Sequence, residues 1–163
     1  MMEAALLAEP QSLLLPDETA TDRLARALAP LLDRGDVIAL SGELGAGKTR
    51  LARGLIGALA GAAEEVPSPT FTLVQCYDTP KGTLWHFDLY RLTRPEEAYE
   101  LGIEEAFADG IAVIEWPERL GALLPADRLE IALGFGREPT HRIARLLPHG
   151  RWRERLRGFG FHG

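Results

Sequence analysis

Apolar residues recur along this chain with two different periods, and each change of period marks the border of a predicted element. From Asp17, a good N-cap, Ala20, Leu24, Ala27, Leu28 and Leu31 fall on one helical face until Gly35, predicting a first helix of about four turns. The residues before Leu13 are read as loose. Val37 to Leu40 is an apolar run with β-branched members between Gly35 and Gly42, as in a strand buried on both faces. Leu51, Leu55, Ala58 and Leu59 return to helical spacing and predict a second helix that ends near Gly61. Val66-Pro67-Ser68-Pro69 reads as a loop, because each proline pushes its predecessor towards extended geometry.

Phe71 to Tyr77 and Thr83 to Tyr90 are rich in β-formers and flank Asp78 to Gly82, a five-residue turn suited to an antiparallel hairpin. Pro95 opens a helical stretch through Glu96, Ala98, Leu101 and Phe107, weakened in its middle by Gly102. Ile111 to Ile114 is a second fully apolar strand and ends in Glu115. Arg128 to Phe135 and His141 to Leu147 read as strands, and Trp152 to Leu156 as the start of a short final helix. Strands alternating with helices predict an α/β fold of three layers, with a mainly parallel sheet and an antiparallel hairpin. Neither a repeat nor a low-complexity linker divides the chain. A single domain over 1–163 is expected, with its core at about 13–147 and a basic C-terminal extension at 148–163.

Composition narrows the class. With 163 residues, 46% hydrophobic and 26% charged, the chain has the make-up of one soluble globular domain, not of a disordered segment, a collagen or a coiled coil. Glu3, Glu9, Pro10 and Pro16 interrupt the leucine-rich N-terminus, so no membrane span is expected, and no basic residue precedes its first leucines as a secretory signal would require. The single cysteine, Cys76, has no partner for an internal disulfide, which favours a reducing cytoplasm. The net charge of −6 hides a polarity, for the residues from Arg137 onward hold seven Arg against two Glu. That tail is either a nucleic-acid or acidic-partner contact, or a solvated terminal helix.

The strongest chemical signal is Gly42-Glu43-Leu44-Gly45-Ala46-Gly47-Lys48-Thr49, which meets the pattern G-x-x-x-x-G-K-[ST] at every fixed position. The match follows a predicted strand and opens a predicted helix, as the mechanism requires. Inward-turned backbone amides would cradle phosphates at the helix N-terminus, Lys48 would neutralise β/γ oxygens and the Thr49 hydroxyl would meet Mg²⁺. The nucleotide site is therefore expected to run from Gly42 through Thr49 to Arg50. Such a loop needs an acid at the end of a neighbouring strand, since Mg²⁺ keeps most of its waters. Glu115 is the candidate, one methylene longer than the more usual aspartate and expected to act through water.

Asp88, in His86-Phe-Asp-Leu-Tyr-Arg91, shares a strand face with His86 and Tyr90. It either faces the nucleotide cleft or pairs with Arg91 or Arg94. Ser68 and Thr70 carry hydroxyls that could sense a γ-phosphate. His86 and Cys76 read as ordinary packed residues, without spacing for zinc, and Trp116 as a partner contact or a lid. The chain has no asparagine for the Asn-Lys-x-Asp element of guanine recognition and no Asp-x-x-Gly after the P-loop, which disfavours a GTPase. A P-loop kinase of a small metabolite stays open as the alternative, with Arg91 and Arg94 as its arginines.

Five segments in order, Gly42 to Thr49, Ser68-Pro-Thr-Phe-Thr-Leu-Val74, His86-Phe-Asp-Leu-Tyr-Arg-Leu92, Pro95-Glu-Glu97 with Gly102-Ile103, and Ile114-Glu-Trp-Pro-Glu118, resemble the TsaE (YjeE) ATPases. The similarity spans about Leu15 to Leu147; members commonly have aspartate where Glu43 stands. The resemblance implies a P-loop NTPase-type fold and a bacterial cytoplasmic ATPase required for threonylcarbamoyladenosine, the modified base beside the anticodon of tRNAs that read codons beginning with A. It implies ATP and Mg²⁺ as cofactors, the TsaD and TsaB pair as partners, tRNA contact only through that complex, and slow hydrolysis stimulated by the partners. By motif it assigns Lys48, Asp88 and Glu115 to catalysis, Thr49 and Glu115 to the metal, and Ser68 to Thr70 to a nucleotide-responsive loop. Glu18, Gly136 and Arg137 would lie by the nucleoside.

Overall fold

The computed structural model describes residues 7–61 and 73–161. The loop at Val66 to Pro69, with Ser68 and Thr70, and the start of the strand expected at Phe71 lie outside the described residues. Seven strands form one sheet: β1 (Gln11–Leu15), β2 (Val37–Gly42), β3 (Val74–Thr79), β4 (Gly82–Asp88), β5 (Ile111–Glu115), β6 (Arg128–Phe135) and β7 (Arg142–His149). Their spatial order is β1-β7-β6-β2-β5-β4-β3. β6, β2, β5 and β4 are mutually parallel, as the crossovers through helices dictate. The antiparallel pairs are β3 with β4 at one edge, and β6 with β7 and β7 with β1 at the other. The expected hairpin is therefore joined by a second antiparallel set.

The helices are α1 (Glu18–Leu28), α2 (Lys48–Ala60), α3 (Ile103–Asp109) and α4 (Trp152–Arg155). Asp17 caps α1, its carboxylate accepting from the Ala20 amide at 2.8 Å. The helix tightens into a 3-10 turn at Ala29–Leu31 where Pro30 removes an amide, so it stops short of the predicted Gly35. The stretch opened by Pro95 is not one helix but a 3-10 segment, Pro95–Leu101, followed by α3. Gly102 separates them in left-handed geometry (φ 84°), and the Trp85 ring would lie 2.8 Å from a Cβ there. The β3–β4 turn is also tighter than predicted. Thr79 pairs with Gly82 across it, leaving Pro80 and Lys81 as the connection, and the Thr79 hydroxyl donates to the Gly82 carbonyl at 2.7 Å.

Alternate residues of the central strands feed two cores. On one face Ile38, Leu40, Ile111, Val113 and Ile131 pack against Leu24 and Leu28 of α1 and Leu51 and Leu55 of α2. On the other, Val37, Phe87, Ala112 and Ile114 meet Ala98, Ile103, Ala106 and Leu120. β2 and β5 are continuous apolar runs because both of their faces are covered. Among the described residues no helix is long and apolar enough to cross a membrane.

Both ends of the chain join this structure. β1 is ordered by pairing along β7, from Gln11 beside Leu146 to Leu15 beside Arg142, so the segment from Gln11 is not loose as its sequence suggests. In α4, Trp152 and Leu156 just beyond it are each 1% exposed within the first core. Three of the tail arginines are committed: Arg155 donates to the buried Asp36 carboxylate and to the Leu31 carbonyl, Arg151 pairs with Asp127, and Arg153 lies 3.7 Å from Glu9. Asp36 sits just before β2, and burial pushes its carboxyl up against the opposing pull of the Asp33 amide and of Arg155.

Removing Arg155 strands a buried carboxylate, so Arg155→Met is expected to cost about 2–3 kcal/mol, below the range for a fully buried pair because the guanidinium is partly exposed. The Asp36 charge carries that cost. The deficit against wild type should be largest near neutral pH and shrink as the pH falls through the raised Asp36 pKa, because the protonated carboxyl no longer needs the cation. Urea unfolding at several pH values checks it; a deficit that is flat with pH would assign the effect to packing.

Candidate functional site

The candidate site lies at the C-terminal edge of the parallel strands. β2 leaves the sheet at Gly42 with φ 138°, and a Cβ there would stand 2.3 Å from the Leu133 carbonyl oxygen of β6. Only glycine permits the loop to rise that closely over its neighbour. The loop then turns into α2, whose first two residues are Lys48 and Thr49.

Lys48 is almost buried, at 5% exposed, and folds back on its own loop. Its ammonium donates to the carbonyls of Gly42 and Glu43, the latter at 3.0 Å, and lies 4.1 Å from the centre of the Trp116 ring. Burial holds its pKa below the usual lysine value, partly offset by the charges of Glu115, Glu118 and Asp88. The Thr49 hydroxyl donates to Glu115 Oε1 at 2.7 Å, and Glu115 Oε2 is 2.7 Å from His86 Nε2. These three side chains reach one another because β2, β5 and β4 are adjacent: Leu40 lies beside Glu115, and Asp88 lies beside Glu115 on the other side.

Asp88 lines the same cleft, a space of about 270 Å³ bounded also by Leu44, Lys48, Thr49, Glu115, Tyr90 and Trp116. Of the two placements its sequence allows, it takes the cleft; no ion pair joins it to Arg91 or Arg94 among the described residues. Burial raises its pKa and the Glu115 charge adds to this, opposed by the Tyr90 amide at 3.2 Å, His86 and Lys48. Trp116 has φ 61°, the sole described non-glycine residue with positive φ, and its ring lies 4.9 Å from that of Tyr90. A bulky residue in that conformation is strained and is held by its surroundings.

A second cleft, about 350 Å³, opens on the other side of Gly45 and Gly47. Glu18, Asp17 and Thr21 of the α1 start form one wall, and Pro139, Thr140 and Arg142 the other. Arg50 crosses its floor, bound by Asp22 at 2.8 and 3.0 Å and by Glu18 at 2.8 Å, contacts that raise its pKa. Arg142 donates to the Gly45 carbonyl at 3.3 Å and lies over the exposed Phe135 ring. Gly136 and Arg137 belong to the same β6–β7 loop but do not line the cleft, where Pro139 and Thr140 stand instead. Sequence reasoning missed Thr21, Arg142, the contact of His86 with Glu115 and the contact of Trp116 with Lys48. The period-two spacing of His86 and Asp88 was a usable signal; the backbone twist at Trp116 had none.

The description "Threonylcarbamoyl adenosine biosynthesis protein TsaE" belongs to the family model that matches residues 15–143 of this chain. The chain is 43% identical over 120 residues to the tRNA threonylcarbamoyladenosine biosynthesis protein TsaE of Rickettsia bellii, covering 74% of this chain and 83% of that protein. With the protein of the same name from a Synechocystis species the identity is 47% over 113 residues, or 67% and 71% of the two chains. The crystal structure of Bacillus subtilis YdiB superposes with a TM-score of 0.74 at 27% identity and covers 92% of this chain and 93% of that one.

Lys48 makes no salt bridge among the described residues and spends its hydrogen bonds on its own loop, so Lys48→Ala should weaken nucleotide binding by at least about 100-fold, the loss of a charge-assisted contact to phosphate. The fold should survive, with a melting temperature within a few degrees of wild type. Calorimetric titration with nucleotide and a thermal melt check both halves; equal affinity in the variant would remove the phosphate from Lys48.

Proposed function

Because this chain belongs to the TsaE family of threonylcarbamoyl adenosine biosynthesis proteins, we propose that it is the Mg²⁺-dependent ATP hydrolase of that tRNA modification and works with the TsaD and TsaB pair. The observation that carries this reading is the hydrogen bond from Thr49, at the start of the P-loop helix, to Glu115 at the end of the adjacent strand. With its hydrogen given to Glu115, the Thr49 hydroxyl keeps its lone pairs for a cation in the cleft.

The donor set suits magnesium. It consists of hard oxygens from a hydroxyl and carboxylates, and among the described residues no group of three His, Cys, Asp or Glu gathers into a cage. Mg²⁺ is held that sparingly, through water and phosphate, and when bound it neutralises charge on the β- and γ-oxygens. The chain's own residues do the rest. Amides from Gly42 to Thr49 cradle the phosphates, and Lys48 exchanges its two loop carbonyls for phosphate oxygens. Asp88, raised in pKa and lining the same cleft as Lys48, is the proposed group that orients the attacking water or accepts its proton. The second cleft takes the nucleoside, with Glu18 and Arg50 on one side and the loop of Gly136 and Arg137 on the other. Ser68 and Thr70 stay proposed members of a nucleotide-responsive loop. Contact with tRNA only through the complex and the cytoplasm as compartment are parts of the same proposal; of the tail arginines, Arg151, Arg153 and Arg155 are paired within the chain.

Glu115→Gln keeps the shape of the side chain and removes its charge. ATP should still bind, while Mg²⁺-dependent turnover falls by about 100-fold or more, the scale of losing a main electrostatic group. Turnover is measured alone and with purified TsaB and TsaD. Slow hydrolysis that rises with the partners supports the proposal, whereas rapid turnover that needs a small acceptor would make the chain a metabolite kinase.

A further inference from the structure

His86 is fully buried, at 0% exposed, in β4 between β3 and β5. On the same strand face Leu84 joins the apolar core beneath it and Asp88 enters the cleft above it. An imidazole in such a place is costly unless its nitrogens are paired. One of them is: Glu115, as a carboxylate, accepts, so Nε2 carries the hydrogen of the 2.7 Å contact. The other is not, for Nδ1 has no hydrogen-bond partner among the described residues. Leucine or phenylalanine, as at Leu84 and Phe87 nearby, would fill this interior without an orphaned nitrogen. The sheet therefore holds a histidine whose sole polar side-chain contact among the described residues is Glu115.

The reach explains why. His86 stands beside Val113, two residues before Glu115 on β5, so the contact runs diagonally between strands and needs a side chain as long as imidazole. Glutamate has one more rotatable bond than aspartate, and at a strand end its carboxylate is free to swing. Here both oxygens are fastened, Oε1 by the Thr49 hydroxyl and Oε2 by His86. Lys48 is close enough to feel the Glu115 charge and would attract a loosened carboxylate.

We propose that His86 is a positioning residue, which fixes the Glu115 carboxylate in the orientation that receives the Thr49 hydroxyl and faces the magnesium–nucleotide complex. The proposal rests on the role given to Glu115 above. His86 touches neither nucleotide nor metal; it acts through the carboxylate, as outer-shell partners of ligating groups do.

Glutamine and asparagine at position 86 test this, because the glutamine amide extends about as far as Nε2 whereas the asparagine amide stops near Nδ1. His86→Leu is the apolar variant should the asparagine not fold. Binding of a non-hydrolysable ATP analogue is titrated in EDTA and over a range of Mg²⁺. His86→Asn and His86→Leu should bind as wild type in EDTA but need about ten times more Mg²⁺ for the metal-dependent gain, a typical outer-shell loss. His86→Gln should stay close to wild type. In turnover, kcat should fall in the first two while KM for the nucleotide holds. A wild-type Mg²⁺ response in His86→Asn or His86→Leu overturns the proposal. So does an equal loss in all three variants that tracks their melting temperatures, which would make His86 a packing residue. Glu115→Gln is titrated alongside: if it loses the Mg²⁺ response while His86→Leu keeps it, the histidine alone is misassigned, and if Glu115→Gln also responds as wild type, the role of Glu115 itself falls.

Discussion

The site depends on the parallel register of β2 and β5. Leu40 lies beside Glu115, so the strand that launches the P-loop ends level with the strand that carries the acid. A slip of one residue would turn Glu115 to the opposite face of the sheet and place Ile114 under Thr49. The register is held firmly because both strands are buried on both faces, and the slip would move the β5 side chains from one core to the other. Apolar packing thus sets the distance between a hydroxyl and a carboxylate at the far end of the strand. β4 extends the same logic by one strand, bringing Asp88 level with Glu115 and His86 within diagonal reach.

β2 also links the two ends of the molecule. Asp36 precedes it and is fastened by Arg155 from α4, while Gly42 closes it and opens the loop. Stability devices gather at the N-terminal end of the parallel strands: the Arg155–Asp36 contact, the buried Trp152, and the Lys81 ammonium on the carbonyls of Pro30 and Leu32 at 3.0 and 2.6 Å. The C-terminal end carries the unsettled chemistry, namely a lysine displaced from its usual pKa, a carboxyl raised in pKa and a tryptophan in left-handed geometry. Strain of this kind persists where the surrounding fold over-determines the backbone. Here the buried strands on either side supply that rigidity.

Much of this was legible in the chain because it is local. The Asp17 cap, the two apolar strands, the Pro95 start and the strand, loop and helix around Gly42 to Thr49 each declare themselves within one turn or one strand, and each occurs where it was expected. What escaped reading is what depends on a distant partner. Gln11 to Leu15 becomes a strand only because β7 offers a ladder more than a hundred residues away, and the tail arginines find Asp36, Asp127 and Glu9 only once the sheet has closed. The division of the Pro95 helix at Gly102 was half visible, since glycine weakens a helix, but the Trp85 ring from β4 that leaves no room for a side chain there was not. His86 looked like an ordinary core residue for the same reason. Its composition and spacing are those of a packed histidine, and its partner is 29 positions later.

The charge around the cleft bears on which nucleotide species the proposed function requires. Lys48 is almost surrounded by acids: Glu115, Glu118 and Asp88 all act on it, and its pKa falls because burial outweighs their combined pull. A triphosphate entering without a cation would meet Asp88 and Glu115 at close range, with the lysine still bonded to the carbonyls of Gly42 and Glu43 and lying against Trp116. A divalent cation changes the sign of that balance, since the carboxylates that repel bare phosphate attract its metal complex. In the proposed complex the phosphate would then release Lys48 from its loop and from the indole that shields the ammonium. On this account the acids do not oppose nucleotide binding; they make its full strength depend on the metal, and Trp116 is the side chain whose environment would change as the metal complex enters.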